Sequence, residues 1–80
     1  MICIATFFSH FGAMQYKKLC EKTGITAKMM PVPRMLSSSC GTCVRVETGN
    51  PASLPRTEET EQLALEGPDG YAVFWKAENS

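Results

Sequence analysis

Eighty residues, with eight basic and eight acidic side chains and a net charge of zero, supply one thin core: the chain reads as a single domain, 1–80, and lacks the dense basic patch of a nucleic-acid binder. Four cysteines are many for a cytosolic protein yet few for a secreted disulfide scaffold. No basic-then-apolar leader opens the chain and no apolar run nears the ~20 residues that span a bilayer, so the expected setting is cytoplasmic, with no membrane partner and reduced thiols.

The charge is unevenly placed. Residues 1–45 carry Lys17, Lys18, Lys22, Lys28, Arg34 and Arg45 against Glu21, a formal +5, and residues 46–80 carry two bases and seven acids, a formal −5.

In chain order, residues 2–8 are apolar at nearly every position and rich in β-branched and aromatic side chains, which predicts a covered strand. From about Gly12 to Thr23 the period changes: Ala13, Tyr16, Leu19, Cys20 and Thr23 share one side, while Gln15, Lys17, Lys18, Glu21 and Lys22 fall largely outside it. Ser9 or His10 precedes this helix and Gly24 stands where a terminating glycine belongs. A second strand is expected over residues 25–30, closed by Pro31-Val32-Pro33. Residues 34–41 form a polar loop. Thr42, Val44 and Val46 then alternate with Cys43, Arg45 and Glu47, the period of a half-buried strand that starts at the second cysteine of the pair.

Two readings compete for residues 57–66. Thr57 can cap a short helix with Glu58 and Glu59 in its first turn; alternatively, residues 62–66 pair with residues 71–76 as a hairpin around Gly67-Pro68-Asp69-Gly70. The acidic run behind a capping threonine favours the helix. Residues 71–77 make the last strand. The resulting order, β-α-β-β-α-β, predicts an α+β fold, a ferredoxin-like split βαβ sandwich with both helices on one face of an antiparallel sheet. The other face would be open, and Phe7, Phe8, Phe74 and Trp75 make it a surface for a partner chain, a homodimer included.

Cys3 and Cys20 lie in apolar settings and read as small core residues. Cys40 and Cys43 sit in Ser37-Ser38-Ser39-Cys40-Gly41-Thr42-Cys43, a setting too polar for a core. Gly41 permits a backbone angle at which successive N–H groups point toward the preceding sulfur. Such donors, with the charges of Arg34 and Arg45, would favour the thiolate, the nucleophilic form of cysteine. Cys40 is then the nucleophile or sulfur-bearing group, and Cys43 a thiol able to resolve a mixed disulfide or persulfide. Ser38 and Ser39 offer hydroxyl hydrogen bonds. The plainer alternative is that both thiols fill space at a sheet edge.

Other chemistry fits less well. A thioredoxin-like pair starts a helix after a strand, and here the pair precedes a strand. A closed zinc site needs four ligands, and the chain offers one Cys-x-x-Cys and one histidine, His10, so a metal-bridged dimer is the form a metal site would take. No resident metal or cofactor is expected. A serine hydrolase lacks a positioned base, and neither a phosphate-cradling glycine loop nor a convergent carboxylate pair is present.

The stretches FFSHFGAMQYKKLCEKTGI and PVPRMLSSSCG resemble the small bacterial proteins of the domain of unknown function 3343 family, the selenium/sulfur carrier-like proteins. The resemblance runs over nearly the whole chain, is strongest at residues 24–47 and fades after Thr48. It implies that Cys40 carries sulfur or selenium, with Pro33, Arg34, Ser39 and Gly41 matching the motif around it; Cys43 departs from the apolar residue expected there. The expected partners are proteins that deliver and accept the atom. The competing class is an interaction module with inert cysteines.

Overall fold

The computed structural model describes residues 1–78. Five strands, β1 (Ile2–Phe7), β2 (Thr26–Pro31), β3 (Thr42–Glu47), β4 (Thr60–Gly67) and β5 (Gly70–Lys76), form one sheet with one helix, α1 (His10–Lys22). The order across the sheet is β2-β3-β1-β4-β5, and every neighbouring pair is antiparallel.

The helix follows its sequence signals. Ser9 is the N-cap, its hydroxyl accepting from the Gly12 N–H at 3.1 Å. At the other end Gly24 adopts φ +80, a left-handed conformation that costs glycine little. Its N–H donates to the Glu21 carbonyl, and the Ile25 N–H donates to the Cys20 carbonyl at 2.8 Å, so the last turn's free acceptors are satisfied. Gly12, Ala13, Tyr16 and Cys20 are the buried stripe.

That stripe packs on the sheet face formed by Cys3, Ala5 and Phe7 of β1, Val44 and Val46 of β3 and Leu63 of β4. Phe7 and Tyr16 stack at 5.1 Å between ring centroids. Tyr16 brings a hydroxyl into this core without a hydrogen-bond partner of ordinary geometry, and it lies against the Cys20 thiol.

The two-helix sandwich expected from the sequence is not what the chain builds. Residues 57–66 are not a helix: Thr60–Gly67 is strand β4, paired with both β1 and β5, and the hairpin reading of this region is the one that forms. The connection from β3 to β4, ahead of the segment where the second helix was expected, carries only a three-residue 3₁₀ turn, Pro51–Ser53. Its buried contribution to the sheet is Leu54, 1% exposed, which stabilises by roughly 1.5–3 kcal/mol where a whole helix would otherwise lie. Beyond it the Arg56 guanidinium sits 5.3 Å from the Trp75 ring centroid.

The helix-free face is nonetheless closed over much of its area. Ile4, Thr6, Cys43 and Ala64 are all inaccessible, and the register places them side by side on β1, β3 and β4. Residues 33–39 bond and pack onto β1, β4 and the hairpin: the Gln62 side-chain amide donates to the Ser37 carbonyl, and Met35 packs against Gly70. The four aromatics do not share one open face. Phe7 and Trp75 belong to the helix side, Phe8 is half-buried, and Phe74, 42% exposed, is the residue skipped in the pairing of Leu63 with Trp75 and Ala64 with Val73.

Candidate functional site

The loop between β2 and β3 is short of slack. Its base is closed by the Val32 N–H donating to the Gly41 carbonyl at 3.1 Å, and a turn returns the Leu36 N–H to the Pro33 carbonyl. Each serine is engaged. The Ser38 hydroxyl accepts from the Cys40 N–H at 3.3 Å and donates to the Phe7 carbonyl at 3.5 Å. The Ser39 hydroxyl donates to Glu61 Oε2 at 2.6 Å, and the Ser39 N–H reaches both carboxylate oxygens, at 3.2 and 3.3 Å.

Cys40 is half-exposed at the end of this run. Its Sγ accepts from the Thr42 N–H at 3.3 Å and lies 3.8 Å from the Thr42 carbonyl oxygen. A backbone donor therefore meets the sulfur, and it comes from the first residue of β3, which the Pro31 and Cys43 pairings fix. Gly41 acts differently from the expectation. Its φ is not positive, and a Cβ added there would meet nothing within 4 Å, so the loop does not need glycine for its backbone angle. Arg34 is exposed and makes no hydrogen bond or ion pair among the described residues; Arg45 faces Glu47 at 4.0 Å. The structure thus brings Cys40, Ser38, Ser39 and Thr42 together and leaves both guanidinium groups outside that network. His10, the first residue of α1, puts Nδ1 3.2 Å from the Thr42 hydroxyl.

The remaining cysteines are closed to solvent. Cys43, 0% exposed, points its sulfur toward the Pro31 carbonyl at 3.6 Å. Burial, reinforced by the nearby Cys40, pushes its thiol up to about 11. Cys3 and Cys20 sit in the helix-side core, and burial raises both thiols. All four sulfurs are unbridged.

Glu61 is a residue that sequence reasoning did not single out. It occupies the position where the β1–β4 register shifts, opposite Thr6 and Phe7, a bulge that turns an extra side chain toward the loop. Although 7% exposed, the carboxylate is bonded to the Ser39 amide and hydroxyl and to the Thr6 hydroxyl at 3.1 Å. Burial, the largest single influence, pushes its pKa upward; the hydrogen bonds from Ser39, Thr6 and Ser38 together outweigh it and hold the group below the ordinary carboxylate value. The available signal was the serine run itself, since three hydroxyls and their amides in a short loop require acceptors nearby. Beside this contact opens a cleft of about 370 Å³ lined by Phe8, Ser37, Ser38, Ser39, Gln62 and Lys76 as well as Glu61.

Among the described residues, no group of three or more His, Cys, Asp or Glu side chains is gathered as a metal site. No helix among them is long and apolar enough to cross a membrane.

Fold and site together define a small α+β protein, with one helix and five strands among the described residues, that holds a half-exposed cysteine, Cys40, on a bonded serine loop. Residues 2–67 match the family described as "Putative Se/S carrier protein-like". The match spans most of the chain, which belongs to that family. No curated protein and no solved structure matches the chain.

Proposed function

We propose that the protein is a sulfur or selenium carrier in which Cys40 holds the transferred atom. The observation that carries this reading is the contrast among its thiols: Cys40 is half-exposed with an amide donor at its sulfur, while Cys3, Cys20 and Cys43 are inaccessible.

In loading, the Cys40 thiolate attacks the outer sulfur of a donor persulfide. The Cys40 Sγ–S bond forms, the donor S–S bond breaks, and the donor leaves as a thiolate. In unloading, an acceptor thiolate attacks that outer sulfur and Cys40 departs as a thiolate. Neither step needs an added oxidant or reductant, because one S–S bond replaces another. A selenium atom bound to sulfur passes by the same two displacements. The Thr42 N–H, 3.3 Å from Sγ, stabilises negative charge on that atom when it attacks and when it leaves. Ser38 and Ser39 hold the loop, and Arg34, exposed beside it, meets the partner or the anionic terminal atom.

Cys43 has no part as a nucleophile in this scheme. A buried thiol with a pKa of about 11 stays protonated at neutral pH, so release falls to a thiol on the acceptor protein. The partners are proteins that bear a persulfide or a receiving thiol, and a reducing compartment such as the cytoplasm suits a carrier whose resting form is a free thiol.

The test uses reduced protein, a cysteine desulfurase and cysteine. Mass spectrometry of the peptides is expected to place one added sulfur atom on Cys40, removed by a thiol reductant, and none on the other three cysteines. An unloaded Cys40 under conditions that load another carrier protein contradicts the reading.

A further inference from the structure

The chain between two fixed points determines where the Cys40 sulfur sits. On one side Thr42 is anchored in β3 by its pairing with Pro31. On the other, Ser39 is anchored to β4 through Glu61, with three contacts at 2.6–3.3 Å. Only Cys40 and Gly41 lie between these anchors. A cysteine in so short a span, with its own N–H held by the Ser38 hydroxyl, keeps its sulfur on the Thr42 amide as long as both anchors hold.

We infer that Glu61 is a positioning residue for Cys40: its buried carboxylate, held on the β4 bulge, clamps the Ser39 amide and hydroxyl and so keeps the Cys40 sulfur on the Thr42 N–H. The functional meaning of this inference rests on the carrier reading; the clamp itself is a property of the loop. An ionised acceptor with several donors is stronger than a neutral one, and with Glu61 only 7% exposed water competes little for it. Thr6, bonded to the same carboxylate at 3.1 Å, sits opposite Cys43 in the sheet register, so the clamp also ties the loop to β1 at the centre of the sheet.

Two replacements separate positioning from bulk. Glu61→Ala removes every acceptor. Glu61→Gln keeps an oxygen for both Ser39 donors, and its NH₂ donates to Thr6, whose hydroxyl switches from donor to acceptor. Amide hydrogen exchange at Ser39 and Thr42 is measured by NMR, with Ile4 and Val44 in the central strands as internal references. Cys40 loading is measured at saturating donor.

In Glu61→Ala, exchange at Ser39 and Thr42 is expected to speed about tenfold or more, with Ile4 and Val44 unchanged, and loading to slow by a similar factor. Glu61→Gln is expected to restore both to within about threefold of the wild type. Exchange at Ser39 and Thr42 left unaltered in Glu61→Ala overturns the inference, and so does a Glu61→Gln protein that behaves like Glu61→Ala. If Glu61→Ala does not fold, Ser39→Ala decides. It keeps the backbone contact and loses the 2.6 Å hydroxyl bond, so Thr42 exchange is expected to rise about threefold, and an unchanged rate overturns the clamp. A wild-type protein that never takes up sulfur removes the carrier reading alone, and the exchange comparison still decides on Glu61.

Discussion

Burial of the Cys43 thiol makes folding stability fall with pH over a defined window. Its pKa rises from 9.0 to about 11 on folding. Below pH 9 the thiol is protonated in both states and the slope is zero. Between 9 and 11 the unfolded chain has lost its proton while the folded one keeps it, so stability falls as pH rises by about 1.4 kcal/mol per unit, roughly 3 kcal/mol in all. Above 11 both states are ionised and the loss levels off. For 80 residues, total stability is of order 4–12 kcal/mol, so the effect is a large share of it. The assay is urea unfolding of wild type and Cys43→Ala at half-unit steps from pH 8 to 11.5. The other buried titrating groups, Cys3, Cys20 and Tyr16, cancel in the difference. The wild-type curve is expected to be steeper than the variant by that slope within the window and parallel below it. Cys40→Ser should keep most of the slope, because burial outweighs the influence of Cys40. Parallel curves throughout would refute the assignment of Cys43 as a closed thiol.

Two glycine replacements differ in their expected effect. A Cβ on Gly12 would stand 2.5 Å from Glu59 Cβ, on a residue whose backbone carbonyl is held by the Phe8 N–H and whose carboxylate receives the Ser9 N-cap hydroxyl. Overpacking of about 1–3 kcal/mol is offset by at most the ~1 kcal/mol that alanine gains over glycine in a helix, a net loss of about 1 kcal/mol at the middle of that range. Gly12→Ala should lower Tm by about 4–8 °C in a thermal melt, and an unchanged or higher Tm contradicts the contact. Gly41→Ala meets open space at an ordinary φ, so it should leave unfolding within about 0.5 kcal/mol and Cys40 loading unchanged; a marked loss of either would restore a special role for that glycine.

The first half of the chain was legible because its signals are local. Ser9, the apolar stripe and Gly24 bracket α1 from within its own turns, and the bounds of β2 and β3 lie within a residue of those expected. Pro31 extends β2 by one position because this strand lies at the sheet edge, where a missing donor is tolerated. The second half failed where tertiary pairing overrode local preference. Thr57 with Glu58 and Glu59 has the composition of a helix start. Yet Thr60 to Ala64 are all buried, with Leu63 in the helix-side core and Gln62 and Ala64 on the other face, and a strand covered on both faces shows no alternation to read.

The site was legible to a similar depth. Composition alone separates Cys40 from Cys3 and Cys20. It could not show that residues 33–39 pack onto the sheet or that Cys43 is closed to solvent, nor that one of several glutamates in an acidic run turns inward on a bulge. Both depend on which strand pairs with β1, a contact between residues more than fifty positions apart.

One sulfur is open while three are shut, and native-state alkylation measures this directly. Folded, reduced protein is treated with iodoacetamide at pH 8, quenched over a time course and mapped by peptide mass spectrometry. Cys40 is expected to be modified first and fully, while Cys3, Cys20 and Cys43 react only as denaturant unfolds the chain. Modification of Cys43 at a rate comparable to Cys40 in the folded protein, or a Cys40 that stays unlabelled until unfolding, would contradict the account.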